Sequence, residues 1–174
     1  MELKIVKFFN QLGLGVLDGA TDFISRIKYL IIFWAALASA FLFFDKTNGQ
    51  EIFLGIIIAT ILHFLITEGI IKHLLTKVLA KRTRPYLKNS EIVPIGRKFT
   101  DSAFPSSHMA TTLAVITVIL YFHPIIWPLA VALAIFMDYA RMHQGMHYLS
   151  DVIVGIVLGI LYGEMAIYLV NNWL

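Results

Sequence analysis

ARMHQGMHYLSD, residues 140–151, sets an arginine, a histidine and an aspartate at fixed offsets between two strongly apolar segments. Five residues separate Arg141 from His147, and three separate His147 from Asp151. If the stretch enters a helix, the i, i+4 spacing puts Asp151 on the face of His147. A carboxylate there takes the Nδ1 proton of the imidazole and leaves Nε2 free as a nucleophile or base. Two other polar stretches, residues 77–85 (KVLAKRTRP) and 105–108 (PSSH), also lie between apolar runs.

Those apolar runs dominate the chain. Of its 174 residues, 59% are hydrophobic, and the mean hydropathy is +0.78. These values lie outside the soluble range and predict one integral-membrane domain over residues 1–174. With no cysteine, disulfides and thiolate metal sites are excluded. The net charge is only +3, but basic residues cluster in the 72–98 region. That pattern suits an anionic substrate or lipid headgroups better than nucleic acid. Glu2, Asp18 and Asp22, with no compact apolar run, argue against a cleavable signal peptide.

Hydrophobic periodicity predicts an all-α polytopic bundle with five clear transmembrane helices. Residues 1–27 hold an amphipathic pattern (Ile5, Phe8, Phe9, Leu12 and Val16 against Lys7, Asn10 and Gln11). This reads as an interfacial helix, or alternatively as a short sixth span. The spans are then 29–44, 52–80, about 107–122, 125–139 and 152–170. The second, 29 residues at about 1.5 Å each, is about 43 Å long and projects beyond the hydrocarbon. Glu68 and Lys72 near its far end are i, i+4, and the plain reading is a satisfied structural pair. Residues 81–104 form the single long polar segment, the kind of loop that contacts substrate. Counting turns brings all three polar stretches to one side of the membrane.

Lys77 and Arg84, seven residues apart, face one spot if the helix continues that far. Arg84 precedes Pro85 and is biased to a helix end, with its fork free to turn inward. With Arg141 they make three cations around two histidines, a self-repelling cluster unless an anion such as phosphate sits among them. His108 opens a helix, where free N–H groups favour an anion, and Ser106 and Ser107 add donors. For Lys81, Arg82, Lys88, Arg97 and Lys98 the simpler reading is anchoring to headgroups. His63, His73, His123 and His143 read as packed or interfacial residues.

In this order and with these gaps, Lys77-x6-Arg84-Pro85, Pro105-Ser-Ser-His108 and Arg141-x5-His147-x3-Asp151 resemble the three-part signature of the type 2 phosphatidic acid phosphatase (PAP2) superfamily. Two positions depart from the usual pattern: Ser107 stands where glycine is common, and Ala140 where serine is common. The resemblance implies a phosphohistidine on His147, oriented by Asp151, with His108 protonating the leaving oxygen and then activating water. Lys77, Arg84, Arg141, Ser106 and Ser107 would hold the phosphoryl oxygens, with no metal or other cofactor required.

The resemblance also implies a membrane lipid substrate. The compact length and amphipathic start look most like the bacterial lipid A 1-phosphatases and undecaprenyl diphosphate phosphatases. Phosphatidylglycerophosphate and phosphatidic acid are the alternative substrates, and an anionic-lipid binder or scramblase is the non-enzymatic one. The implied location is a bacterial inner membrane with the site facing the periplasm or exterior. The positive-inside rule pulls the other way, because the motif-bearing face carries most of the lysine and arginine.

Overall fold

The structure is a computed structural model and describes residues 1–78 and 80–173. Among these the chain is helical, with no strand. It opens with two short helices, α1 (Glu2–Gln11) and α2 (Asp18–Ile24). The single interfacial helix expected over residues 1–27 is thus divided. Gly13 and Gly15 sit at φ +77° and +84°, a left-handed conformation that glycine adopts without a Cβ penalty, and they stop the helix.

Five apolar helices follow. They are α3 (Ile27–Phe44), α4 (Gly49–Val78), α6 (Ser107–Phe122), α7 (Trp127–His143) and α8 (Leu149–Trp173), with a single turn, α5 (Pro85–Lys88), in the polar segment before α6. α3, α4 and α8 are long and apolar enough to cross a bilayer, as is α7 with the 3₁₀ turn Pro124–Ile126 before it; α6 is apolar but shorter. α4 is not uniformly wound: residues Phe64–Leu75 form a π-helical segment. Five crossings from Ile27 leave α1 and α2 on the face where α4 ends and α6 begins. α1 and α2, of 10 and 7 residues, are each too short to cross a bilayer.

Polar contacts hold α1 and α2 against that face. Asn10 is fully buried; its amide donates to the carbonyls of Val93 at 2.8 Å and His143 at 2.5 Å, and its oxygen accepts from Val93 N–H at 2.8 Å. Lys7 pairs with Glu91 at 2.8 Å.

The core centres on the packing of α6 against α8. Gly155 and Gly159 of α8 face α6 so closely that an added Cβ would lie 2.6 Å from the Ser106 carbonyl and 2.5 Å from that of Ala110. Close backbone approach at small residues is a common way for membrane helices to associate, since lipid supplies no hydrophobic drive between them. Here it also has a positional effect: Ser106 N–H donates to the Asp151 carbonyl at 3.0 Å, fixing the PSSH segment against the start of α8.

Candidate active site

Arg84 is the residue before α5. Its backbone is extended (φ −68°, ψ 149°) because Pro85 follows. The side chain is buried, with Nη1 donating to the Met146 carbonyl at 3.1 Å and Nη2 to Asp101 at 2.5 Å. Arg141 lies in the last turn of α7, buried, with Nη1 on the Gln144 side-chain oxygen at 2.6 Å. Gly145 then turns the chain at φ +69°, as glycine commonly does just past a helix end, and brings His147 back toward Arg141.

His147 is buried between α7 and α8. Its Nδ1 lies 2.7 Å from the Ala103 carbonyl and 3.9 Å from an Asp151 carboxylate oxygen. A carbonyl only accepts, so Nδ1 carries the proton and Nε2 of the neutral ring has a free lone pair. Burial, then the charges of Arg141, Arg84 and Lys72, hold the His147 pKa well below its ordinary value. The ring is therefore in its nucleophilic form at neutral pH.

The tautomer expected from the sequence is present, but its partner is not the expected one. α8 begins at Leu149, so His147 precedes the helix; Asp151 still lies beside its ring, at 3.9 Å, but too far to take the Nδ1 proton directly. Asp151 is fully buried; one carboxylate oxygen caps Tyr148 N–H at 2.8 Å, and the other accepts from Arg82 at 2.6 Å. Arg82 also reaches Ser150 and Glu2, each at 2.7 Å. It is an internal clamp joining α1, the polar segment and α8, not a headgroup anchor.

His108, in the first turn of α6, donates from Nε2 to the Ser25 carbonyl at 2.9 Å. Ser107 donates its hydroxyl to Glu68. The hydroxyl of Ser106 is buried without a partner and does not line the cavity.

These groups surround a cavity of about 300 Å³. His147, His108, Arg84, Arg141 and Ser107 line it, together with Glu68, Lys72 and Asp101. Ile27, His63 and Phe64 form a less polar flank between α3 and α4. The expected Lys77 is not in this wall; it is exposed in the last turn of α4. The lysine at the cavity is Lys72, whose side chain is 6% exposed and 3.4 Å from both Glu68 and Asp101. The physical reason is where α4 ends. Two α-helical turns from Lys77 to Arg84 need a continuous helix, but α4 ends at Val78; Lys72 lies about one turn earlier, within the π-helical segment. Glu68 and Lys72, read as a structural pair, are thus cavity residues. Burial pushes the Asp101 carboxyl up, but Arg84 and Lys72 outweigh this and hold its pKa below the ordinary value.

Three cations and two histidines, one of them with a free Nε2, around one cavity suit the binding and transfer of a phosphoryl group. A PAP2 superfamily model matches residues 52–174, which contain all three polar stretches. The chain belongs to the PAP2 superfamily.

Among curated proteins, this PAP2 chain is 23% identical over 158 residues to an undecaprenyl-diphosphatase of Sulfolobus acidocaldarius, covering 90% of this chain and 72% of the relative. Its fold matches the crystal structure of Aquifex aeolicus LpxE, with a TM-score of 0.70 and 20% identity, covering 96% of this chain and 94% of the other. It also matches a transmembrane PAP2-type phosphatidylglycerolphosphate phosphatase from Bacillus subtilis, with a TM-score of 0.67 and 20% identity, covering 99% and 84%. Several apolar helices and this family make it a multi-pass membrane protein.

Proposed function

We propose that this PAP2 lipid phosphatase hydrolyses a phosphate monoester or diphosphate on a membrane lipid through a phosphohistidine at His147. The observation that carries the reading is the free Nε2 of His147 facing a cavity that also holds Arg84, Arg141 and Lys72. Nε2 attacks phosphorus in line, the N–P bond forms and the P–O bond to the lipid breaks. With the anionic phosphate bound among the cations, His108 takes up a second proton. As an imidazolium it gives its Nε2 proton to the leaving oxygen, which replaces the Ser25 carbonyl as acceptor, and returns to the neutral ring. Neutral His108 then takes a proton from water as the water attacks phosphorus, releasing orthophosphate and regenerating His147. Asp151 acts from behind, through Arg82 and the Tyr148 N–H, by fixing the turn that carries His147. The three cations stabilise the phosphoryl oxygens, work that magnesium performs in other phosphotransfer sites.

The less polar flank at Ile27 and Phe64 suits a substrate whose tails remain in the bilayer. Lipid A 1-phosphate and undecaprenyl diphosphate are the proposed substrates, supported by the names of the relatives. Phosphatidylglycerophosphate is the second reading, favoured by the Bacillus subtilis match. The proposed location is a bacterial inner membrane with the catalytic face outward.

The test is orthophosphate release from these lipids and phosphatidic acid by detergent-purified protein in EDTA, beside His147→Ala. Release that survives EDTA and disappears in the variant supports the reading. No release from any lipid overturns it in favour of a lipid binder or scramblase.

A further inference from the structure

A second cavity, of about 430 Å³, adjoins the catalytic one. Arg141 is in the wall of both, as are Ile27 and Phe99. The second cavity lies between the α2–α3 junction and residues 95–99, and its lining is built for an anion. Its inner end holds the N-terminus of α3, an 18-residue helix whose N-cap residue, Arg26, makes no side-chain capping bond. The first N–H groups of a helix have no intrahelical acceptor and carry the positive end of its dipole.

Independent observations point to a ligand there. Ser25 lines the cavity, is 7% exposed, and its hydroxyl has no hydrogen-bond partner. Arg141 is 1% exposed, and its Nε is likewise buried and unpartnered, although Nη1 is held by Gln144. Such groups are costly to bury unless something else satisfies them. Arg26, Lys28 and Arg97 add positive charge at the wall, against the single carboxylate of Asp22, which already pairs with Arg26 at 2.6 Å.

We propose that this cavity is a second phosphate subsite, joined to the catalytic cavity through Arg141. Its ligand is a phosphoryl group from one of two sources: a non-scissile phosphate on the lipid headgroup, or orthophosphate leaving the catalytic cavity. The naming of these sources rests on the phosphatase reading, but phosphate binding itself requires no turnover.

The test uses the full chain in detergent micelles, comparing wild type with Lys28→Ala/Arg97→Ala and with the milder Arg97→Lys. Calorimetric titration with inorganic phosphate counts sites: two per chain in wild type and one in the double variant are expected, with Arg97→Lys keeping two. One site in wild type, or two in the double variant, overturns the proposal.

Kinetics then identify the source. If the ligand is a headgroup phosphate, the preference in kcat/KM for a lipid diphosphate over the monophosphate falls about tenfold in the double variant while phosphate inhibition stays unchanged. If it is departing orthophosphate, the inhibition constant for phosphate rises about tenfold and the preference is unaltered. A double variant that changes neither quantity also overturns the proposal. If no lipid is hydrolysed even by wild type, the functional reading fails, and the site count still decides the subsite.

Discussion

His147 hangs from the carbonyl of Ala103 at 2.7 Å, not from the carboxylate of Asp151, which stands 3.9 Å away. The tautomer is thus fixed by backbone from the end of the polar segment. Asp151→Asn therefore keeps Nε2 unprotonated, and kcat should fall about tenfold, far less than in His147→Ala, which loses the nucleophile and should fall to background. Single-turnover phosphate release from the two variants, side by side, checks the difference; equal loss in both would assign Asp151 to the imidazole itself.

Lys72 and Lys77 should separate cleanly. Lys72→Met removes an ammonium from the cavity wall and should lower kcat/KM about a hundredfold, whereas exposed Lys77→Met should change it by less than about threefold. Steady-state assays on the preferred lipid read both; the reverse ranking would return the phosphate-binding role to Lys77.

The pH profile follows from the charges around His147. Its ring must be neutral to attack, and burial with nearby Arg141, Arg84 and Lys72 holds its pKa well below the ordinary value of about 6.5. The acid limb of kcat/KM assigned to this group should therefore lie below pH 6.5. Removing a neighbouring cation makes protonation easier, so Lys72→Met should move that limb upward. A profile unchanged in the variant would separate Lys72 from the nucleophile.

Glu68 accepts from Ser107 and lies 3.4 Å from Lys72, a negative charge at the wall of an anion-binding cavity. Glu68→Gln keeps the shape and removes the charge, so KM for the phosphorylated lipid should fall severalfold. A higher KM would mean that the carboxylate is needed to hold Lys72 in place.

Orientation can be read with single cysteines, because the chain has none of its own. Among its lysines and arginines, only Lys46 lies at the face opposite the site, a distribution that by the positive-inside rule favours a cytoplasmic catalytic face. An outward face predicts that an impermeant maleimide labels Lys98→Cys on intact cells and Thr47→Cys only after permeabilisation. The opposite pattern would place the site inside.

The features legible in the sequence were those carried by local patterns. The spans came from unbroken apolar runs, and the shared depth of His108, Arg141 and His147 came from counting crossings. Lys72 was missed because the two-turn spacing of Lys77 and Arg84 presumes a helix continuous between them, and α4 ends at Val78. Ala103 and Ser25 were missed because they act through backbone carbonyls, which carry no residue-type signal. Arg82 looked like any interfacial cation until α1 and α8 converged on it.

The groups around His147 are drawn from the whole length of the chain: Ser25 before α3, Lys72 on α4, Arg84 and Ala103 in the polar segment, His108 on α6, and Asp151 on α8. They follow one another along the chain in that order, and α8, C-terminal to all the others, holds the PSSH segment in register through Gly155 and Asp151. Because α8 supplies the contacts that hold the PSSH segment, the cavity cannot take this form until that helix is in place beside α6.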